Sequence, residues 1–236
     1  MPGGQPVRRR RRRRRAVSGG GRPVNAVAVF DAVFDRAASG VPAAFTARHA
    51  SGGELRFDPT VWCRDATAGD ATLLARCTGP TLDVGCGPGR LTGALIAAGR
   101  PALGIDISAA AVRLARSRGA VALQRDVFDP VPGTGRWQHL LLADGNVGIG
   151  GDPHRLLRRC RRLLAADGRL HAEVAPPGTP AWSGTAVVQA PGGVGTPLSW
   201  ACVPLDDLPA LAGATALRIQ DTWTAAGRWF ATLVPA

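Results

Sequence analysis

The stretch Leu82-Asp83-Val84-Gly85-Cys86-Gly87-Pro88-Gly89-Arg90 limits the possible folds of this chain more than any other part of it. An apolar run, Thr81–Val84, enters three glycines at alternate positions, and a helical pattern over 91–98 begins directly behind them. Glycine lets the backbone turn sharply and leaves no β-carbon in the path of a ligand. The first turn of a helix offers unpaired N–H groups to polar or anionic atoms. Downstream the alternation continues: residues 102–107 predict a second strand, 109–118 a helix, 121–124 a third strand and 139–143 a fourth. Residues 153–166 predict a basic amphipathic helix with Leu156, Leu157, Cys160, Leu163 and Leu164 inward, and 169–175 a fifth strand. Such alternation argues for an α/β fold of the Rossmann-like, doubly wound kind, a mostly parallel sheet covered on both faces.

The flanks read less regularly. Residues 24–38 carry a helical stripe of Val27, Phe30, Val33, Phe34 and Ala37 that closes at Ser39-Gly40, whereas 41–68 read as irregular. A helix is expected over 70–77, with Asp70 as its N-cap and Leu73, Leu74 and Cys77 inward. Residues 176–204 are rich in Pro and Gly and read as a loop, followed by a short helix over 206–212. Two final strands, 217–224 and 228–234, are joined by Ala225-Ala226-Gly227, a length suited to an antiparallel hairpin. The expected organisation is a tail over 1–23, a cap over 24–68, a core over 69–175, a loop over 176–204 and a closing helix and hairpin over 205–236.

Composition excludes several classes. The 45% hydrophobic and 19% charged residues give a globular balance, so the chain can bury a core. The net charge of +12 resembles that of a nucleic-acid binder, but eight of the 29 basic residues form one run, Arg8–Arg15, which holds two-thirds of it. No aromatic residue interleaves that run to stack on bases, so it reads as an unstructured extension and nucleic acid is disfavoured as a partner. The five cysteines, Cys63, Cys77, Cys86, Cys160 and Cys202, include no C-x-x-C pair, which argues against a zinc knuckle or disulfide framework and for a reducing, cytoplasmic setting. No apolar run approaches a membrane span, and none follows the arginines as a secretory leader requires.

Acidic residues end the first three predicted strands in a pattern. Asp83 precedes the glycines, Asp106 ends Ala102-Leu103-Gly104-Ile105-Asp106-Ile107, and Asp126 follows the third strand in Gln124-Arg125-Asp126-Val127-Phe128. Together with the G-x-G-x-G turn, this set resembles class I S-adenosylmethionine-dependent methyltransferases over residues 70–174. The resemblance implies S-adenosyl-L-methionine as cofactor and a seven-stranded sheet whose last strand is antiparallel, inserted beside the fifth and supplied by the hairpin. It also implies that Gly85, Cys86, Gly87 and Gly89 line the donor's methionine and sugar, and that Asp83 holds the loop and the donor's amino group. Asp106 would accept from both ribose hydroxyls, with Ile107 against the adenine. Asp126 would accept from the adenine amine, with Val127 packing nearby. The first helix and the 176–204 loop fall where the acceptor pocket would lie, and a small-molecule methyl acceptor is expected.

Asp144-Gly145-Asn146-Val147-Gly148-Ile149-Gly150-Gly151-Asp152 follows the fourth strand, where open parallel sheets gather ligands. Its glycines suggest close backbone approach to donor and acceptor, with Asp144 near the sulfonium and Asp152 as the N-cap of the next helix. The segment departs from the Asn/Asp-Pro-Pro-aromatic motif of the amide- and base-modifying methyltransferases. No general base is assigned. Asp144 and Glu173 could share one cleft, but hydrogen bonding to loop amides is the expectation for Glu173. His49, His154 and His171 read as structural or surface groups. Trp62, Trp182 and Trp200 could cover an acceptor, whereas Trp223 and Trp229 read as core strand residues. Two other classes compete. A nicotinamide-dependent oxidoreductase is disfavoured by the glycine spacing and by Asp126. An RNA-directed or non-catalytic protein has only the arginine run in its favour.

Overall fold

The computed structural model describes residues 26–189 and 195–236. The 1–23 tail, and Val24 and Asn25 at the start of the expected first helix, lie outside them.

Seven strands form one sheet: β3 (Thr81–Val84), β4 (Ala102–Asp106), β5 (Ala122–Gln124), β6 (Trp137–Leu142), β7 (Leu164–Val174), β10 (Leu217–Ala225) and β11 (Arg228–Pro235). Their spatial order is β10-β11-β7-β6-β3-β4-β5. β3 lies between β4 and β6, parallel to both and buried along its whole length, as its unbroken apolar run requires. From β3 the chain steps outward through β4 and β5 and then returns to the other side of β3 as β6. That reversal opens a crevice at the carboxyl ends of β3 and β6. β11 runs antiparallel between β7 and β10, which places the closing hairpin as expected.

The helices start where side chains or glycines can satisfy their first N–H groups. α4 (Arg90–Ala97) follows Gly89, whose φ of +81° suits a residue without a β-carbon. α5 (Ala109–Ser117) is capped by Ser108, and α6 (Pro153–Leu163) by Asp152 with Pro153 in its first turn. α3 (Ala68–Arg76) corrects the sequence reading. Its N-cap is Thr67, and Asp70 is the third residue of the helix, closing a reciprocal capping box. A cap at Asp70 would have left Thr67 without that exchange of hydrogen bonds.

Two stretches expected to be irregular are not. Residues 41–68 contain β1 (Phe45–His49), β2 (Glu54–Phe57) and α2 (Pro59–Trp62), and 176–204 contain β8 (Trp182–Gln189) and β9 (Thr196–Cys202). These strands make a second, antiparallel sheet in the order β2-β1-β8-β9. Its core is apolar and aromatic, with Phe45, Phe57, Trp182, Leu198 and Trp200 buried together and Val33 and Ala37 of α1 (Ala26–Ala38) packed in. The pairing of β1 with β8 joins segments far apart in sequence, and glycine and proline interrupt the alternation of β8 and β9. The small sheet and α1 roof the crevice of the large one.

Candidate active site

The glycine turn is pinned to the neighbouring strand, since Gly85 N–H and Cys86 N–H both donate to Ile105 O, at 2.8 and 3.0 Å. Gly85, Gly87 and Gly89 all have left-handed φ, but their missing β-carbons serve different neighbours. A β-carbon on Gly85 would lie 2.6 Å from Asn146 Nδ2, and one on Gly89 would meet Ala115 and Ala120 at 2.8–2.9 Å. On Gly87 the nearest atom would be Phe34 at 3.8 Å, so this glycine alone of the three opens toward free space. That space is a cavity of about 320 Å³.

Nine residues expected at the donor site line the cavity: Asp83, Gly85, Cys86, Gly87, Asp106, Ile107, Asp126 and Val127, which the resemblance implicates, and Asp144, placed there by its position after the fourth strand. Gly89 does not, which corrects the reading of all three glycines as ligand-lining; its place is the start of α4, against α5. Asp83 is buried, accepts from Thr92 Oγ1 at 2.7 Å, and burial pushes its carboxyl up to about 6 against that hydrogen bond. Asp106 accepts from Gly87 N–H at 2.9 Å and from Ser108 N–H at 2.8 Å, one bond on each oxygen. Each of its oxygens keeps a lone pair. Burial raises the Asp106 carboxyl, and those two amides oppose the rise. Asp126 accepts from Phe128 N–H at 2.9 Å through Oδ1. Ile107 is 39% exposed, an aliphatic side chain left uncovered in the cavity wall.

An ion network that the sequence reading missed underlies one side of the floor. Arg90 donates to Asp70 and, at 2.5 Å, to Asp144. Arg228 of β11 reaches Asp70 at 2.7 Å, Asp144 at 3.2 Å and both oxygens of Glu173 at 2.6 and 2.8 Å. Glu173 also accepts from Asp144 N–H at 2.5 Å, so it does not line the cavity beside Asp144 but supports the backbone of that residue from behind. Asp144 adopts a φ of +53°, and the network holds it there. Burial opposes ionisation of Asp70, yet Arg228, the Thr67 amide and Arg90 outweigh it and hold the carboxyl down at about 2. The only local hint in the sequence was Arg90 at the end of the glycine motif; the other partners are distant along the chain.

Aromatic side chains close the opposite wall. Phe30 and Phe34 of α1, Phe57 of β2, Trp62 of α2 and Trp200 of β9 all line the cavity, with Phe128, Leu198 and Ile149 beside them. Their rings pack edge-on and tilted, Phe57 to Trp200 at 5.5 Å and Phe34 to Trp62 at 5.9 Å. α1 is fastened over the site because Asp31 accepts from Ser108 Oγ at 2.6 Å and Ala110 N–H at 3.0 Å. Of the three tryptophans expected to cover an acceptor, Trp62 and Trp200 reach the cavity, while Trp182 stacks on His49 away from it. Trp223 and Trp229, expected in the core, are only partly buried; Trp223 stacks on Phe230 beneath Arg76. Of the glycines after β6, Gly150 lines the cavity, whereas Gly148 and Gly151 differ from expectation. β-carbons on Gly148 and Gly151 would strike the backbone of β9 and β8, at 2.0 and 2.6 Å, so their main use is to let the small sheet dock.

His171 is buried in a hydrogen-bonded chain remote from the cavity lining. His139 Nε2 accepts from Thr78 N–H, which puts the His139 proton on Nδ1, facing His171 Nε2 at 3.1 Å; His171 Nδ1 then donates to Thr232 at 3.0 Å. All four nitrogens are committed with both rings neutral.

Residues 81–168 match a family model described as a methyltransferase domain. No curated protein matches the chain in sequence. A methyltransferase from Bacteroides fragilis, solved with S-adenosyl-L-homocysteine, is similar in structure with a TM-score of 0.70 at 21% identity, over 88% of this chain and 94% of that one. The CcbJ methyltransferase of Streptomyces caelestis gives a TM-score of 0.58 at 15% identity, covering 74% of this chain and 92% of that one. The 1,6-didemethyltoxoflavin-N1-methyltransferase of Burkholderia thailandensis gives 0.56 at 19% identity, over 75% and 81%. At these identities the likeness establishes the shared fold.

Proposed function

We propose that this chain, a class I S-adenosylmethionine-dependent methyltransferase by its family match and fold, methylates a small, flat and largely apolar acceptor by in-line displacement. The observation that carries this reading is one continuous cavity with two unlike walls, a glycine turn ringed by carboxylates and an aromatic cap. The residues present suit the donor. Four carboxylates against two guanidiniums line the cavity, a surplus of negative charge matched to a cationic sulfonium. Gly87 leaves its side open, Asp106 keeps lone pairs for two hydroxyls, and Ile107 offers an uncovered aliphatic face to a base. On this reading the glycine turn and Asp83 hold the methionine end, Asp106 the ribose, and Asp126 with Val127 the adenine.

When bound, the donor supplies an electrophilic methyl group whose departure leaves a neutral thioether. The chain's contribution is then alignment. Pre-organised contact between two reactants can supply on the order of 7–11 kcal/mol of a barrier. The aromatic cap excludes water and presents ring faces to a planar acceptor, while the ion network fixes Asp144 and the turn after β6. The Burkholderia neighbour, whose structure holds 1,6-didemethyltoxoflavin, lends support to a small acceptor.

Calorimetry tests the reading. S-adenosylhomocysteine is expected to bind with micromolar affinity and NAD more weakly, and Asp106→Ala should abolish the former. Equal or tighter binding of NAD would overturn the assignment. A screen of candidate acceptors monitored by S-adenosylhomocysteine release then identifies the substrate.

A further inference from the structure

Three side chains with metal-ligating atoms, none of them used in methyl transfer, meet in the interior outside the cavity lining. Cys77 caps the C-terminal end of α3, His139 lies in β6 opposite Thr81 of β3, and His171 lies in β7 opposite Leu141. Cys77 Sγ and one ring nitrogen of each histidine lie within 4.8 Å of one another, and all three residues are buried. Among the described residues no carboxylate and no second thiol joins the group. Leu73, Leu95, Leu141 and Phe230 belong to the apolar cluster that contains Cys77, so hydrocarbon walls the group on that side.

The two histidines are already aimed as ligands. His139 Nδ1 and His171 Nε2 face each other at 3.1 Å. Two imidazole nitrogens on one ion, each at ~2.0 Å, stand about 3.5 Å apart, so the pair needs only a small opening. Thr232 Oγ1 accepts from His171 Nδ1–H at 3.0 Å, which leaves the Nε2 lone pair turned toward His139. Such an outer partner is what fixes the tautomer of a ligating histidine. His139 reaches the matching state when its proton moves from Nδ1 to Nε2, where Thr78 Oγ1 stands 3.3 Å away to accept the hydrogen bond. Cys77 donates a weak hydrogen bond to Leu73 O at 3.5 Å. Sulfur and nitrogen on one ion stand about 3.8 Å apart, a shift of ~1 Å that rotation about the Cys77 Cα–Cβ bond supplies.

The setting selects the ion. One thiolate neutralises one positive charge, so a monovalent cation leaves this apolar interior uncharged. A divalent ion such as Zn2+ leaves a buried net charge that its ligands do not compensate. Arg100 donates to Cys77 O at 3.0 Å and makes surplus positive charge less favourable still. Thiolate and imidazole together suit a soft ion, and three ligands satisfy Cu(I) without the fourth that Zn2+ requires. We propose that Cys77, His139 and His171 form a three-coordinate site for Cu(I). The ion replaces the thiol proton: the S–H bond breaks, the proton leaves to water, and one Cu–S and two Cu–N bonds form with no change in oxidation state. Bound there, it ties the end of α3 to β6 and β7. Thr78 is exposed and bonds His139, so the site lies one residue below the surface. The proposal is independent of methyl transfer, since none of the three residues lines the cavity.

The full chain, reduced and kept free of oxygen, is titrated with Cu(I) against the chelator bicinchoninate. Wild type is expected to hold one equivalent, with one sulfur and two nitrogen neighbours in its X-ray absorption spectrum, and Zn2+ in hundredfold excess should not displace it. Loss of an outer partner alone weakens metal sites ten- to hundredfold, so Cys77→Ser and His171→Gln should each weaken Cu(I) binding by about 100-fold or more. His171→Gln decides the matter should Cys77→Ser fail to fold. Cys63 is the most accessible of the five thiols, and Cys63→Ser should bind as wild type does. No uptake by wild type against the chelator, uptake unchanged in the folded ligand variants, or displacement by Zn2+ would overturn the proposal. Uptake lost in Cys63→Ser would overturn it too, and would mean an adventitious ion only.

Discussion

Asp83 shows how the site stores an unfavourable charge. Its carboxyl titrates near 6 rather than in the usual carboxylate range because burial outweighs the hydrogen bond from Thr92. A carboxyl raised on folding gives stability that is present below the unfolded value near 4 and lost as pH rises through about 6. At pH 7.5 the ligand-free protein therefore bears the whole burden. Asp83→Asn keeps an acceptor for Thr92 and removes the charge. It is expected to stabilise the domain by up to about 2–3 kcal/mol in urea unfolding at pH 7.5, and by much less at pH 4. S-adenosylhomocysteine affinity should fall roughly tenfold in the same variant, reflecting one lost charge-assisted contact. A variant neither more stable nor weaker in binding would show that Asp83 does not face the ligand. At this scale the carboxylates and glycines were readable because each follows its own strand within a few residues. Arg228 was not, because it meets Asp70 across 158 positions of chain and no local pattern marks it. Asn146 escaped for the same reason, since the carbonyls it donates to, Val84 O and Gly85 O, lie about sixty positions earlier in the chain.

The elements divide along the same line. The parallel strands and their helices were placed to within a few residues, β7 excepted, which begins five residues before its expected start, directly at the end of α6. Their signals are local: an apolar run, a glycine turn, an N-cap and a stripe. The small sheet lacked such signals, since its strands find each other only after the core has brought residues 45–57 beside 182–202. Gly148 is the hinge of that arrangement. Its φ is not left-handed, so an added methyl brings no backbone strain, but the β-carbon would lie 2.0 Å from Ala201 O of β9. Strand backbone cannot swing aside as a flexible side chain can. Gly148→Ala is therefore expected to destabilise by about 1–3 kcal/mol and to loosen the small sheet from the crevice. Limited proteolysis should cut within 176–204 faster than in wild type, with S-adenosylhomocysteine affinity changed less than threefold. Equal proteolysis rates would mean that the cap does not depend on this contact.

Across the whole molecule, two buried regions respond to acid in opposite senses. The cavity floor holds carboxyls that burial raises, Asp83 and Asp106, so the folded state takes up protons there before the unfolded chain does. The interior beneath β6 and β7 holds the neutral pair His139 and His171. Burial lowers both, and His171, pressed further by His139, reaches about 3. A base lowered on folding gives stability that is complete above its unfolded value near 6.5 and is lost as pH falls toward the folded one. Between pH 6 and 4 the unfolded chain thus binds about one proton at His171 that the native protein refuses. The wild-type response over this range is a difference between the two regions, and a single substitution can separate them. His171→Gln keeps hydrogen-bonding capacity beside His139 and Thr232 and removes the titration. Whatever its stability at pH 7, its unfolding free energy relative to wild type should improve by ~1.4 kcal/mol for each pH unit between 6 and 4. Urea unfolding at pH 6, 5 and 4 measures that slope. Parallel curves for the two proteins would mean that His171 is already protonated in the fold, and the hydrogen-bonded chain from Thr78 to Thr232 would then have to run through a charged ring.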